Sequence, residues 1–533
     1  MTLRGALPTR RVLLLAAATA LLLFVAYPPA SLVLPSFVCL VPFLWWLEEV
    51  RGSGFEVRGA MARGPDDPPA PRTSHPVPVF WPAFWFGALA NGAVLYWMVV
   101  ALWHFTPLSL LGYLASIVLV LGPSWGLLAV ALARMRVRTS IPLWVAFPLL
   151  WTALEWLIAH LGDLRFPWLG LGTSLTRAPL LVQWADLAGA RGVTLWLAWA
   201  NVMAMEAMRR RAWRPAVLLT ASVAAALGYG TWRERTLVLR PVATVAVVQP
   251  NVDFDEKRRN RENDSLVRQL LDLTQRARQD SAVQLVVWPE AAVPNYFYSR
   301  PAWERWIGDE SRALRTPLLV GGLDVVFYSD QTYDYYNAAF FFDTTGSARN
   351  WPVYHKHYLV PIVERVPFLN PRWFGKLKYF GGFGVGTAFP VYRLATGGFG
   401  VVICYESAFE DLPRRYRQEG ADFLVNITND SWYGRTAAPY QHAAHLVMRA
   451  IETRMGVARA AATGISEFVD PLGHAHLATP LFVERVVTSP VLTSDVRTLY
   501  VRLGDWVGLV ALVGSAACLA TLFLRSRSRG GRP

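Results

Sequence analysis

Residues 401–406 read Val-Val-Ile-Cys-Tyr-Glu, a short apolar run that ends on a thiol and a carboxylate. Three consecutive branched residues with no polar alternation predict a strand covered on both faces, as in the sheets of α/β domains. Two other runs end in the same way. Leu285-Val286-Val287-Trp288-Pro289-Glu290 closes on a carboxylate, and Val353-Tyr354-His355-Lys356 closes on an ammonium. A Glu, a Lys and a Cys at strand ends make a base, an electrophilic stabiliser and a nucleophile.

Outward from these runs, the segment 241–497 alternates short β-branched or aromatic stretches with helical ones. Strands are predicted at Val242–Val248, Leu285–Val287, Leu318–Val320, Ala338–Phe342, Gly400–Ile403, Phe423–Ile427 and Glu467–Val469, and helices at Asn263–Gln279 and Ala438–Met455. That alternation predicts one α/β domain. Cys404 is its only cysteine, because Cys39 and Cys518 fall in apolar spans, so no internal disulfide is available to it. A lone thiol in such a domain reads either as a small buried hydrophobe or as a nucleophile.

The rest of the chain belongs to a different class. Hydrophobic residues make up 53 % of the 533, with 23 Trp, and the mean hydropathy is positive, which predicts membrane spans. Apolar stretches near the roughly 20 residues a bilayer needs occur around 12–27, 30–47, 80–103, 108–133, 140–160, 190–208, 214–232 and 503–524. This is an expectation of eight spans, seven before the α/β domain in a region 1–235 and one after it. Arginines cluster before the first span (Arg4, Arg10, Arg11) and after the second (Arg51, Arg58, Arg63, Arg72), fourth (Arg134, Arg136, Arg138), sixth (Arg209, Arg210, Arg211, Arg214) and eighth (Arg525, Arg527, Arg529, Arg532). By the excess of basic residues in cytoplasmic loops, both termini are expected in the cytoplasm and the α/β domain on the outer face. The Pro/Gly-rich stretch 49–79 reads as a cytoplasmic linker and 525–533 as a basic cytoplasmic tail. A cleaved signal peptide is the rival reading of residues 1–30, but Phe24-Val25-Ala26 and Pro28-Pro29-Ala30 make poor cleavage sites. Much of the net charge of +14 is then topological, which leaves little reason to invoke nucleic acid.

A thiol is largely protonated at neutral pH and needs a neighbour to take its proton. Glu290 supplies that base, and Lys356 supplies a fixed positive charge for the oxyanion that forms on an attacked carbonyl. Only four of the 52 basic residues are Lys: Lys257, Lys356, Lys376 and Lys378. In so Arg-biased a chain, a compact ammonium at a strand end marks a position where a guanidinium fork does not substitute.

The strings Trp288-Pro289-Glu290, Lys356-His357-Tyr358-Leu359-Val360-Pro361 followed by Glu364, and Cys404-Tyr405-Glu406 resemble the three signatures of the nitrilase (carbon–nitrogen hydrolase) superfamily in order and spacing. With the membrane segments around it, the whole chain resembles the apolipoprotein N-acyltransferase family. Further matches are Gln249-Pro250-Asn251, Tyr336-Asn337-Ala338, Asn426 through Gly434, Gln441-His442, Arg449-Ala450-Ile451-Glu452 and Phe166-Pro167-Trp168-Leu169. It departs at Val363, commonly Gly in the family, and at Arg258, often Trp.

The resemblance implies an αββα sandwich beside a bundle of transmembrane helices in the bacterial inner membrane. It implies a catalytic set of Glu290, Lys356 and Cys404, with Glu364, Glu406, Tyr405 and Asn337 in support and no cofactor or metal. The activity it implies is transfer of an acyl chain from a membrane phospholipid, through a cysteine thioester, to the α-amino group of the diacylglyceryl-cysteine of an apolipoprotein. This is the last step of lipoprotein maturation.

Two readings compete. The same residues, with water as acceptor, would make a membrane-tethered amidase or hydrolase; a transporter or scaffold would use the outer domain only to bind ligand. The number of spans argues against the first, and the absence of paired broken helices argues against the second. His355 and His357 without acidic or Cys partners in the sequence read as strand decoration rather than metal ligands. Ser407 lacks the glycines of a nucleophile elbow. Glu155, within a predicted span, reads as a functional carboxylate or as a structural hydrogen-bond partner. The aromatic and Gly-rich segments Tyr296-Phe297-Tyr298, Trp373-Phe374 with Lys376 and Lys378, and Gly381-Gly382-Phe383-Gly384 are candidate lids at the lipid surface.

Overall fold

The branched runs of the second half of the chain pair into two six-stranded sheets in a computed structural model, which describes residues 7–56, 79–103, 108–260, 263–279, 282–293, 295–329, 333–365, 368 and 382–529. The strands are β1 Arg240–Gln249, β2 Leu285–Val287, β3 Leu318–Phe327, β4 Tyr333–Phe342, β5 Tyr354–His355, β6 Tyr392–Leu394, β7 Gly397–Ile403, β8 Phe423–Thr428, β9 Gly456–Ala461, β10 Glu467–Val469, β11 Ala475–His476 and β12 Arg485–Thr493. One sheet runs β12-β1-β2-β3-β4-β5 and the other β11-β10-β9-β8-β7-β6. The centre of each is parallel, β1-β2-β3 and β7-β8-β9, and the flanks are antiparallel.

Alternate residues explain the layering. On β1, Val245 and Val247 face the second sheet and join a core with Phe399, Val401, Val425 and Val457. Ala246 and Val248 face outward, onto Leu270 and Leu273 of the helix Ser265–Ala277 and Trp303 and Ile307 of the helix Pro301–Leu314. The helix Ala438–Thr453 buries Leu446, Ala450 and Ile451 in the core that holds the second sheet. Both faces of each sheet are covered, which is why its strands lack polar alternation.

Four strands lack a signal in the sequence: β6 and β11, only three and two residues long, and the longer β9 and β12. β9 reads Gly-Val-Ala-Arg-Ala-Ala, poor in branched residues, because its space is tight: a Cβ on Gly456 would come within 2.3 Å of the Leu492 carbonyl oxygen. β12 contains Pro490, which an edge strand tolerates, and its ladder is with β1, as the last strand of its sheet.

Each stretch predicted to span a membrane falls on helical chain. Among the described residues, three helical runs are able to cross by length and composition: Val33–Val50, Ser109–Arg138 and Trp213–Thr236. Phe80–Val94 with Trp97–Trp103 makes a fourth if the pair, bent by 60°, counts as one span. Leu143–Ala159 and Trp506–Leu522 are apolar but shorter. Ala185–Arg210 breaks at Gly189 (φ 68°) and carries Asp186 and Arg191 near its start. Glu155 accepts from Trp151 Nε1 (2.8 Å), Leu171 N (3.0 Å) and Thr194 Oγ1 (3.0 Å), so it ties its helix to two neighbouring segments. Most of the 49–79 linker, the last four residues of the tail, and Trp373, Phe374, Lys376, Lys378 and Gly381 of the candidate lids lie outside the described residues.

Polar groups join the two halves. Gln441 Oε1 accepts from Trp97 Nε1 (3.0 Å) and Trp168 Nε1 (2.9 Å), and its Nε2 reaches the carbonyls of Pro28 and Val94. Arg454, fully buried, donates to Asp186 Oδ2 (2.7 Å) and to Gln183 Oε1 (2.6 Å).

Candidate active site

Three strand ends converge between the sheets and the helical half. Cys404 follows β7 at the first residue of a 3-10 turn, Cys404–Ala408, with φ +52°. A non-glycine residue in the left-handed region is strained, and here the strain lies on the thiol-bearing residue of a sharp strand-to-helix turn. Glu290 leaves β2 through Trp288 and Pro289. The chain crosses β3 so closely that a Cβ on Gly321 would lie 2.2 Å from the Pro289 carbonyl oxygen, so only glycine fits there. Lys356 follows β5, with its N–H bonded to the Asn337 carbonyl (2.9 Å).

The side chains form one charged cluster. Lys356 Nζ donates to Glu364 Oε1 (2.9 Å) and lies 3.5 Å from Glu290 Oε1. Asn337 Nδ2 bridges the same two carboxylates, at 2.6 Å from Glu290 Oε1 and 3.0 Å from Glu364 Oε1. Because carboxylates only accept, this fixes which end of the amide is nitrogen; Oδ1 is buried without a hydrogen-bond partner. Glu290 Oε2 accepts from Asn429 N (2.8 Å), and Glu364 Oε2 from Val360 N (2.8 Å).

Burial pulls the Lys356 ammonium down, but Glu364, Glu290 and Cys404 outweigh it and hold the group charged well above its ordinary range. Burial raises the Cys404 thiol strongly, Glu290 raises it further, and Lys356 opposes both. The resting thiol is therefore protonated, so attack requires a base at the moment of reaction.

Glu406 works differently. Its Oε2 accepts from Ile403 N (2.6 Å) and Tyr354 OH (2.7 Å), and its Oε1 from His357 N (2.6 Å) and Tyr358 N (3.2 Å). It binds the turn of Cys404 to the segment that follows Lys356. Burial pushes this carboxyl up to about 7, against the hydrogen bond from Ile403 N, the charge of Lys356 and the hydrogen bonds from Tyr354 and His357 N. Tyr405 donates to the Arg165 carbonyl (2.8 Å) and stacks near Trp168 and Phe166, which docks the Cys404 turn on the helical half.

All seven residues predicted as catalytic or supporting thus converge here. Asn429, within the motif Asn426 through Gly434, donates its backbone N–H to Glu290, and a backbone donor leaves no side-chain signal in the sequence. Asp430 and His442, which stand in the sequence only as parts of motifs, form a buried set with Arg459, which stands in none. Asp430 accepts from Thr428 Oγ1 (3.0 Å) and Arg459 (2.8 Å). Burial pushes Asp430 up, but Arg459 and His442 bring it down to about 2. His355 bonds Asp324 (2.7 Å) and stacks on Tyr336, and His357 faces Tyr354 OH (3.2 Å). Ser407 Oγ is buried without a hydrogen-bond partner.

A cavity of about 590 Å³ opens from this cluster. Its lining joins Cys404, Glu290, Lys356, Asn337 and Lys257 with Trp97, Met98, Ala101, Leu102, Val120 and Leu121 from the apolar helices. Tyr296 and Phe383, from two of the candidate lids, also line it. The arrangement suits acyl transfer from a donor with a long apolar group.

A carbon-nitrogen hydrolase family model matches residues 244–501, and an apolipoprotein N-acyltransferase N-terminal domain model matches residues 70–203. The apolipoprotein N-acyltransferase of Geobacter metallireducens is 33 % identical over 458 residues, 83 % of this chain and 86 % of that protein. Its counterpart in Chlorobaculum tepidum is 31 % identical, covering 70 % of this chain and 76 % of that protein. The Brucella melitensis protein of the same name is 30 % identical over 94 % of both.

Proposed function

This chain belongs to the apolipoprotein N-acyltransferase family, and from that premise we propose a two-stage acyl transfer at Cys404. In the first stage Glu290 takes the thiol proton as Sγ attacks the ester carbonyl of a membrane phospholipid. Lys356 stabilises the tetrahedral oxyanion. Collapse breaks the bond to the glycerol oxygen, which takes the proton back from Glu290. A thioester on Cys404 and a lysophospholipid result.

In the second stage the α-amine of a diacylglyceryl-cysteine at an apolipoprotein N-terminus attacks the thioester and passes a proton to Glu290. The thiolate leaves and is reprotonated from Glu290, so the amide forms and the enzyme returns to its starting state. Glu364 and Asn337 hold Lys356 and Glu290 in register, and Glu406 and Tyr405 hold the nucleophile turn. The arginine distribution supports an eight-span arrangement in a bacterial inner membrane, with the α/β domain on the outer face, where both lipid substrates are available.

The observation that carries this reading is the cavity, whose lining includes both the charged groups around Cys404 and the apolar side chains of the helices. Its test is incubation of purified protein with phospholipid labelled in the acyl chain. Label sensitive to hydroxylamine is expected on Cys404, absent in Cys404→Ser, and expected to move to an added diacylglyceryl-cysteine peptide as an amide. Absence of label on folded wild-type protein sinks the reading. Release of label to water alone, with the peptide present, favours a hydrolase.

A further inference from the structure

Both described lysines of this Arg-rich chain line the cavity at Cys404, and their surroundings differ. Lys356 sits against two carboxylates. Lys257, 7 % exposed, donates from Nζ to the Glu290 carbonyl (3.2 Å) and makes no ion pair among the described residues. An ammonium has three donors and a full charge, so Lys257 leaves most of its bonding capacity unused in a low-dielectric site, where an uncompensated charge is costly. Burial pushes it down to about 8, although Glu290 and Asp253 pull the other way. The cavity that brings an ester to Cys404 therefore also holds a cation short of a counter-charge.

We propose that Lys257 binds the phosphate diester of the acyl donor and makes the site selective for phospholipids over neutral glycerolipids. In a glycerophospholipid the phosphate lies only a few bonds along the glycerol from the ester under attack, and Lys257 is tethered to the main chain of the base itself. One ammonium thereby links headgroup recognition to the placement of Glu290. The phosphate leaves with the lysophospholipid after the first stage, so the incoming amine meets no bound anion.

The inference rests on the acyl-transfer reading, and its test separates the two. Purified protein is given labelled dioctanoyl phosphatidylglycerol or dioctanoylglycerol, and the rate of Cys404 labelling is followed for each. Wild type should prefer the phospholipid. Lys257→Met should slow labelling from the phospholipid by about ten- to a hundredfold, the scale of one charge-assisted hydrogen bond. Labelling from the neutral donor should slow far less, so that the preference collapses, whereas Lys257→Arg should retain it. Equal slowing with both donors would assign Lys257 to holding the Glu290 loop alone and overturn the proposal, as would a wild type with no preference.

A measurement on wild type covers the case in which the variants do not fold. The diether analogue of the phospholipid, which cannot acylate, should protect Cys404 from maleimide, and the neutral diether should protect much less. Equal protection by both overturns the proposal, and protection by inorganic phosphate alone assigns the site to a free anion instead. No labelling from any donor refutes the acyl-transfer reading itself.

Discussion

Glu290 and Glu406 are both buried carboxylates close to Cys404, yet they are built for different work. Glu406 has no exposed surface, and its two oxygens are taken by three backbone N–H groups and a phenol. Glu290 shares one oxygen with Lys356 and Asn337, gives the other to one backbone N–H, and lines the cavity. A carboxylate saturated by main-chain donors fixes the shape of a turn. One that shares an ammonium and faces a substrate space is placed to accept and return a proton.

The most severe way to break this contrast is at the atom both carboxylates serve. Cys404→Ala should lower acyl transfer by on the order of a thousandfold or more, with the melting temperature close to that of wild type. Next comes the charge side: Lys356→Met should cost about a hundred- to a thousandfold in the rate of Cys404 acylation, the scale of losing an oxyanion partner, because it also leaves Glu290 and Glu364 without their shared cation.

The shape side should respond in stability as well as in rate. Glu406→Gln sets an amide NH₂ against an N–H or hydroxyl donor. The buried mismatch should cost about 1–3 kcal/mol, visible in denaturant unfolding, with a rate loss of roughly ten- to a hundredfold as the Cys404 turn shifts. The pH profile gives a sharper test. An acid whose folded value is raised from 4.5 to about 7 holds its proton more tightly when folded. Its contribution to stability is therefore lost as pH rises from about 4.5 to about 7 and is flat beyond. Subtracting the Glu406→Gln profile from that of wild type should isolate this downward slope; a difference that is flat across the window refutes the assignment.

The smallest effect belongs to the apolar lining of the cavity. Ala101→Trp should slow transfer of a sixteen-carbon chain by about tenfold relative to an eight-carbon chain, because the ring fills space the longer chain needs. Equal slowing of both would place the acyl chain elsewhere.

Much of this was legible in the chain itself. Cys404, Glu290 and Lys356 each end an apolar run, and a residue just past the end of a buried strand emerges at the rim of a sheet, where a site forms. β9 and β12 were not legible, because one is made of small residues for want of space and the other carries a proline that only its edge position permits. The helical half was legible as apolar segments. The bend of 60° between Phe80–Val94 and Trp97–Trp103 was not, although it helps to shape the cavity wall.

From sequence alone came the candidate reacting groups, the α/β layering and the membrane character, since strand ends, apolar periodicity and the choice of Lys over Arg are written locally. Tertiary structure alone decided how charge is shared among the groups. Asn337 lies 47 positions from Glu290 and Asn429 lies 139 away, and no local pattern encodes such a bond. It exists because two sheets pack face to face and bring their strand ends to one rim, where burial strengthens each pairing and separates the carboxylate that shares the Lys356 ammonium from the one saturated by main-chain donors.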